Sequence, residues 1–358
     1  MNRINMKELG FTDKFAAEAA LYDGLYIGRI FSQYKDIYKV MCENGELRAK
    51  VSGKFRFETK LKSDFPAVGD FIMLDRNENV TGNAVIHHVL PRKSAFIRKA
   101  AGKSNIEQVV ASNIDRIFIC MSLNKDFNLR RLERYLSIGW DSGAIPVVIL
   151  TKSDLCDDVE QRICEVETVA VGADVLVTSA TQEHSYYKVL QYIKESQTAA
   201  FIGSSGVGKS TLINYLIGEE RLGTNGLRND DKGKHTTTRR ELILLKNGGM
   251  VIDTPGMREL GLENTDLSVA FSDIDKLASM CRFHDCTHTR EPGCAVQQAI
   301  CDGILDAGRF SNYQKLKKEA KYEGLTSRQI ETMKMNEMFK NVGGMKNARR
   351  FLKKNTKY

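Results

Sequence analysis

The stretch Gly203-Ser204-Ser205-Gly206-Val207-Gly208-Lys209-Ser210-Thr211 has the glycine spacing of a phosphate-binding loop. Backbone N–H groups of such a loop can surround a phosphate, Lys209 can reach the terminal phosphates, and the Ser210 hydroxyl can hold Mg²⁺. The apolar run 199–202 before it is typical of a strand, and 211–217 is typical of a helix whose N-terminus favours anions. A glycine-rich turn is the alternative, but this strand-then-helix setting predicts nucleotide binding.

Composition places the chain among ordinary soluble globular proteins. Its 358 residues predict two or three domains, with 42% hydrophobic and 27% charged residues. No apolar run reaches about 18 residues, and the N-terminus lacks the apolar core of a signal peptide. We therefore expect a cytoplasmic protein with no membrane contact, and nothing suggests more than a monomer.

Positive charge is concentrated near the C-terminus. The whole chain carries a formal net charge of +8, whereas residues 309–358 hold 14 Lys and Arg against four Glu. A basic tail can simply be a solvated helix face. The sharper interpretation is a polyanionic partner.

The first hundred residues predict a polar, loosely held arm over 1–20 and then a small closed β-barrel. An oligonucleotide-binding (OB-fold) barrel is one candidate, and the alternative is a barrel that only packs on its neighbour. Its basic side would consist of Lys54, Arg56, Lys60 and Lys62. The predicted strands are 24–34, 37–42, 47–57, 69–74 and 83–90.

After a predicted linker over 92–113, strands and helices alternate as in a parallel sheet. We predict strands at 115–121, 145–150 and 175–178, and helices at 129–140 and 159–169. Ligands bind at the carboxyl ends of such strands.

Two turns at these strand ends fit a guanine base. In the turn Thr151, Lys152, Ser153 and Asp154, the carboxylate can accept from the ring N–H and amine of guanine, and the lysine stem can cover the base. In the second turn, the small residues Ser179 and Ala180 let backbone N–H groups approach the base oxygen. Each turn alone is a common surface sequence, so their placement carries the prediction.

The segment after the phosphate loop predicts the remaining nucleotide contacts. Residues 222–240 are polar and rich in Gly and Thr, which is typical of a mobile loop. A hairpin over 241–252 then leads into Asp253-Thr254-Pro255-Gly256. Asp253 can hold Mg²⁺ through water and the Gly256 N–H can meet a γ-phosphate, although such a turn is also common without function.

These elements are those of a small GTPase in rotated order, because the guanine turns precede the phosphate loop. With a barrel before them and a Cys/His cluster after them, the whole chain resembles the bacterial ribosome small-subunit-dependent GTPase A family. The resemblance implies GTP hydrolysis, with GTP and GDP as ligands, coupled to late maturation of the small ribosomal subunit. In that family the barrel and a zinc-bearing helical domain help dock the protein on the subunit and its rRNA, and hydrolysis governs release.

The resemblance implies a multidomain fold in three parts. Residues 1–99 form an OB-fold barrel with an N-terminal arm, 100–264 a circularly permuted α/β phosphate-loop GTPase domain, and 265–358 a zinc-binding α-helical domain with a basic tail. Two other functions stay open: an RNA-binding switch protein with negligible turnover, and an ATP-using assembly factor.

The Cys/His cluster predicts one structural zinc ion. Three thiolates and one imidazole make a closed tetrahedral set, and the spacing also coincides with the family's pattern. Cys301 and His284 are competing ligands, and buried cysteines without metal are the alternative. The expected ligands are Cys281, Cys286, His288 and Cys294.

Two residues depart from the usual GTPase pattern. Thr151 replaces the usual Asn, so guanine specificity should rest mainly on Asp154. Met257 stands where many GTPases carry a glutamine that orients the attacking water. We therefore expect His235 to orient water and Thr237 to sense the γ-phosphate, with Lys209 stabilising charge. A solvated His235, with RNA or backbone positioning the water, is the alternative.

Overall fold

The computed structural model describes residues 3–79, 81–99, 107–182, 184–219, 240–253, 270–321 and 333. Within them no helix is both long and apolar enough to cross a membrane. The strands are β1 Tyr26–Tyr34, β2 Ile37–Cys42, β3 Gly45–Val51, β4 Phe71–Leu74, β5 Ala84–Val89, β6 Ala95–Lys99, β7 Glu107–Ser112, β8 Arg116–Ser122, β9 Ile145–Thr151, β10 Asp174–Val177, β11 Thr198–Ile202, β12 Arg240–Leu244 and β13 Met250–Asp253.

The helices lie in the N-terminal arm, in the barrel, around the central sheet and at the C-terminal end. They are α1 Asp13–Ala19, α2 Gly53–Glu58, α3 Leu129–Asp141, α4 Val159–Glu167, α5 His184–Gln191, α6 Lys209–Ile217, α7 Ser272–Ser279, α8 Ala295–Cys301 and α9 Ala307–Lys321. Two short 3₁₀ helices cover Lys62–Asp64 and Ser153–Leu155.

The first five strands form a closed barrel in the order β1-β2-β3-β5-β4, with β4 pairing back to β1. Alternation determines which side chains point into the barrel: Tyr38, Val40 and Cys42 of β2 are buried, while the residues between them are partly exposed. The predicted N-terminal barrel of five strands is confirmed.

One barrel strand is shorter than predicted. The expected strand 47–57 ends at Val51, and residues 53–58 form helix α2 instead. Ser52 is the reason, since its hydroxyl accepts a hydrogen bond from the Phe55 N–H at 2.9 Å and so caps the helix. The basic residues of this stretch therefore lie on a helix and the turn after it.

The N-terminal arm is packed rather than loosely held. Helix α1 buries Phe15, whose ring lies 4.6 Å from the ring of Phe71 on β4. Leu9 is also buried, and its carbonyl accepts a hydrogen bond from the buried Arg29 of β1. Apolar spacing along the arm thus outweighs its polar composition.

The predicted linker 92–113 is also ordered. It contains the antiparallel pair β6 and β7, which buries Phe96 and Val110. Arg92, just before this pair, forms a salt bridge of 2.8 Å with the buried Asp70. Burial acts to lower the pKa of Arg92, but the hydrogen bonds to Asp70 and its charge together keep that pKa above its usual value.

The central sheet joins the barrel in one eleven-stranded sheet of order β10-β9-β8-β11-β13-β12-β1-β2-β3-β5-β4. Strands β8 to β11 and β13 are parallel, whereas β12 is antiparallel to β13 and to barrel strand β1. The parallel strands are apolar along their length, as in β9, because helices cover both faces. Their carboxyl ends form one edge, and the candidate site lies there.

The C-terminal helices pack on α3 through buried charges. Arg309 of α9 lies 2.7 Å from the carboxylate of Glu133 on α3 and 2.9 Å from Asp273 on α7. Burial opposes the charge of Arg309, but hydrogen bonds to Asp273 and the charge of Glu133 keep its pKa raised. Arg309, the first basic residue of the tail, is therefore buried and does not belong to a basic surface.

Candidate nucleotide site and metal cluster

The phosphate loop, residues 203–211, follows β11 and includes the first residues of α6. Positive φ angles of 142°, 76° and 102° at Gly203, Gly206 and Gly208 explain why glycine occupies these positions. A Cβ at Gly203 would lie 2.3 Å from the carbonyl oxygen of Cys120, so the loop passes directly against β8. Burial raises the pKa of the Cys120 thiol to about 12, and Lys209 opposes this only in part, so the thiol beneath the loop stays neutral.

Lys209 is the first residue of α6, and its ammonium lies within the loop. The Nζ atom donates to the carbonyl oxygens of Gly203 at 2.7 Å and Ser204 at 2.5 Å. Because a helix N-terminus carries partial positive charge, the ammonium and the first N–H groups of α6 form one region of positive potential. This end of α6 can bind a polyphosphate, with the adjacent Ser210 hydroxyl as a Mg²⁺ ligand.

The turn at residues 151–154, which is predicted to contact guanine, is bonded to the phosphate loop. Thr151 is buried, and its hydroxyl donates to the carbonyl oxygen of Val207 at 2.6 Å. The Lys152 ammonium donates to the Gly206 carbonyl at 2.7 Å. The shorter Thr151 side chain therefore still reaches the loop, a contact that its sequence position alone does not reveal.

The two turns predicted to contact guanine lie side by side because β9 and β10 are parallel neighbours. The Ser179 hydroxyl donates to the Asp154 carboxylate, and the Ser153 N–H donates to the Thr178 carbonyl at 3.3 Å. Asp154 and Ala180 are both exposed at this edge. The turns predicted from separate strands are thus one continuous surface next to the phosphate loop.

Asp253 completes the described part of this edge. It is the last residue of β13, whose Ile252 pairs with Ala200 of β11, so its carboxylate belongs to the strand end beside the phosphate loop. His235, Thr237, Gly256 and Met257 lie outside the described residues.

Arg131 is a site residue that sequence reasoning missed. Its guanidinium Nη1 donates to the Ser204 hydroxyl of the phosphate loop at 2.7 Å. It lies in the first turn of α3, capped by the Asn128 side chain, and α3 follows the carboxyl end of β8. Its position was the signal available in the sequence: Arg131 lies in the first turn of the helix that follows the carboxyl end of β8.

The metal cluster brings together Cys281, Cys286, His288 and Cys294, whose ligand atoms all lie within 4.8 Å of one another. The Sγ atoms of Cys281 and Cys294 are 3.9 Å apart, and each lies 3.5 Å from His288 Nδ1. Tetrahedral zinc, with Zn–S near 2.3 Å and Zn–N near 2.0–2.1 Å, separates such atoms by about 3.8 and 3.5 Å. The donor set fits zinc, and the competing residues His284 and Cys301 are both exposed outside the cluster.

Comparison with known proteins decides the family. The RsgA GTPase family profile matches residues 89–263. The small ribosomal subunit biogenesis GTPase RsgA 2 of Lactiplantibacillus plantarum is 46% identical over 347 residues, which cover 97% of this chain and 98% of that protein. The chain belongs to the RsgA GTPase family. RsgA 1 of Listeria innocua is 44% identical over 320 residues, covering 88% of this chain and 90% of that protein.

Solved structures show the same architecture for this RsgA-family chain. YjeQ from Thermotoga maritima matches with a TM-score of 0.63 and 26% identity, over 82% of this chain and 98% of that one. YloQ, described as a circularly permuted GTPase, matches with a TM-score of 0.61 and 27% identity, over 84% and 96%. The predicted family and the permuted GTPase fold with a barrel in front are confirmed.

Three local features of this RsgA-family chain hold the ligands of the metal cluster in place. His288 has a positive φ of 57°, and its carbonyl accepts from the Gln297 side chain at 2.6 Å. Cys294 caps α8 by accepting from the Gln297 N–H at 3.4 Å. Bonds from Thr287 and the Thr289 N–H hold the pKa of the Glu291 carboxyl well below its usual range, so a charged acid fixes the turn between the ligands.

Proposed function

We propose that this protein binds GTP and hydrolyses it to GDP and phosphate during late maturation of the small ribosomal subunit. It binds the subunit in the GTP state and leaves after hydrolysis. The names of its RsgA relatives support the substrate and the process. The single observation that carries the proposal is the bonding of Thr151 and Lys152 to the phosphate loop, because it joins a guanine-reading turn to a triphosphate-binding loop.

Catalysis at this edge is positioning and charge neutralisation. Lys209 and the loop N–H groups hold the β- and γ-phosphates, while Asp154 and the turn at Ser179 and Ala180 hold guanine. Ser210 and Asp253 are the proposed Mg²⁺ ligands, and the ion supplies neutralisation of phosphate charge when bound. We further propose that Thr237 and the Gly256 N–H contact the γ-phosphate and that His235 orients the attacking water.

The metal cluster is proposed to hold one structural Zn²⁺. All four ligands are protein groups, which leaves no coordination position open for a substrate. The proposed zinc ion serves function only indirectly, because it stabilises the folded turn between α7 and α8.

The proposed partners are the small subunit and its rRNA, contacted by a monomer in the cytoplasm. The barrel's basic residues and the tail beyond the buried Arg309 are the proposed contact surfaces. The division into 1–99, 100–264 and 265–358 also stays a prediction, and limited proteolysis can test it. Because β1 pairs with β12, we expect cleavage near 99 to leave the two parts associated.

Turnover measurements test the function. We expect slow GTP hydrolysis alone, strong stimulation by purified small subunits, and none by large subunits. Excess ATP should not compete. Turnover that small subunits leave unchanged would favour the RNA-binding switch instead, and efficient competition by ATP would favour an ATP-using assembly factor.

A further inference from the structure

Helix α2 and the turn after it, residues 53–62, carry an unusual surface that we call the Phe57 surface. Phe57 is 91% exposed, more than any other large hydrophobic side chain in the described part of the chain. Leu61, four residues later, is 62% exposed. Two large apolar side chains, one on α2 and one in the turn after it, are therefore exposed to solvent.

The helix itself causes this exposure. Phe55 packs its ring against Phe65 at 5.9 Å, edge to face, and its N–H is held by the Ser52 cap. Phe57 lies two residues on, about 200° around the helix axis, and so points away from that contact. In the predicted strand the two rings would share one face, so the change from strand to helix creates the exposed ring.

Basic residues flank Phe57 in the chain. Residues 53–62 contain four Lys and Arg and only one acid, Glu58. Their ion pairs are exposed and long, at 3.8 Å for Lys54 with Glu58 and 3.4 Å for Arg56 with Asp36. Such pairs contribute little and exchange readily for other anions. An exposed aromatic ring among lysines is the arrangement that binds single-stranded nucleic acid.

We propose that Phe57 stacks on an unpaired RNA base while Lys60 and Lys62 bind the flanking phosphates. The inference deepens the proposed function by naming a stacking residue on its RNA-binding surface. Charge decides between occupants, because a second copy of this chain would bring the same positive cluster against the ring. An RNA supplies both the π-face and the negative charge that this surface lacks.

Binding of a fluorescein-labelled, 12-nucleotide single-stranded RNA of mixed sequence tests the stack. We expect Phe57→Ala to weaken binding roughly five- to hundredfold, the usual effect of losing one base–aromatic stack, while Phe57→Trp binds like wild type. Leu21→Ala is the matched control, since Leu21 is 73% exposed outside this surface. The fully paired duplex of the same sequence should not distinguish Phe57→Ala from wild type.

Salt dependence separates stacking from charge. Phe57→Ala should leave the slope of log affinity against log salt unchanged, because no phosphate contact is lost. Replacing Lys60 and Lys62 by Gln should lower that slope by roughly 1.4, about 0.7 for each phosphate contact. Wild-type affinity in Phe57→Ala, or an equal loss on the duplex, would overturn the inference.

Fluorescence gives a direct readout. In Phe57→Trp we expect RNA to quench the added indole, whereas Leu21→Trp should not respond. If Phe57→Ala lost affinity for small subunits but kept full affinity for the RNA, the partner of Phe57 would be a protein and the inference would be overturned. If wild type shows the stack but small subunits do not stimulate its turnover, the proposed function fails and this inference stands.

Discussion

The nucleotide site and the metal cluster differ in how far apart their parts lie in the chain. The phosphate loop is held by Thr151, 56 residues away, and by Arg131, 73 residues away. The cluster takes all its ligands from residues 281–294. Helix α3 bonds to the phosphate loop through Arg131 and to the C-terminal helix α9 through Glu133 and Arg309. The nucleotide site is therefore assembled from distant parts of the chain, whereas the metal cluster is assembled within one short segment.

Metal removal should give the largest effect, because it tests how local the cluster is. Structural zinc contributes about 10–16 kcal/mol of apparent binding free energy, so Cys286→Ala should lose zinc and unfold residues around the cluster. We expect protease cleavage near 281–294 while GTP affinity stays within threefold of wild type. Metal analysis and limited proteolysis measure this.

Cys301→Ala is the control for this prediction, because Cys301 is an exposed cysteine outside the cluster. It should keep one zinc per chain and wild-type protease resistance. Zinc retained in Cys286→Ala would remove the cluster as a metal site, and loss of GTP binding would show that the two regions are not independent.

Sequence reasoning succeeded where the determinants are local. The Cys/His spacing, together with its match to the family's pattern, predicted the four cluster residues that the structure brings together. Apolar runs predicted the parallel strands. It could not find the Arg131–Ser204 contact or the β1–β12 pairing, since both depend on how distant elements pack. It predicted a strand where α2 forms, because the Ser52 cap outweighed the alternating pattern. It predicted a linker over 92–113, because the polar composition of that segment hid the buried Phe96.

The buried pair between α3 and α9, which attaches the C-terminal helices to the sheet domain, should give the next largest effect. Arg309→Met removes the buried ion-pair partner of Glu133 and leaves that carboxylate only the half-exposed Arg130, at 3.2 Å, as a cation, so the cost should be at most the ~3–5 kcal/mol of a broken buried pair. We expect release of α9, seen as a lower melting temperature of the C-terminal part. Arg56→Met is the control, because its pair with Asp36 is exposed and contributes at most about 1 kcal/mol. Equal melting of both variants would contradict the prediction.

Base choice tests the nucleotide site alone. Asp154→Asn should weaken GTP binding roughly tenfold to a hundredfold, since a charged hydrogen-bond acceptor contributes about 1.5–3 kcal/mol. It should gain xanthosine triphosphate, whose base offers an acceptor where guanine has an amine. Competition binding measures both ligands, with the exposed Asp157→Asn as control. An unchanged preference for GTP would remove Asp154 from the site.

The smallest effect should come from the contact between Arg131 and Ser204, which tests whether α3 influences chemistry at the loop. Loss of one hydrogen bond of about 1.4 kcal/mol predicts a tenfold lower kcat in Arg131→Met, with KM for GTP changed less than threefold. Because Arg131 acts through the Ser204 hydroxyl, Ser204→Ala should show the same loss, and the double variant no more than either.

Three comparisons separate this role from a general loss of structure. GDP affinity and melting temperature should stay at wild-type values in Arg131→Met, because the remaining contacts of the loop with Lys209 and Thr151 are intact. Arg131→Lys should recover part of the rate, since an ammonium can still donate to the hydroxyl but with poorer reach. Additive losses in the double variant would mean that Arg131 and Ser204 act independently. Arg131 would then act on the nucleotide itself and not through the phosphate loop.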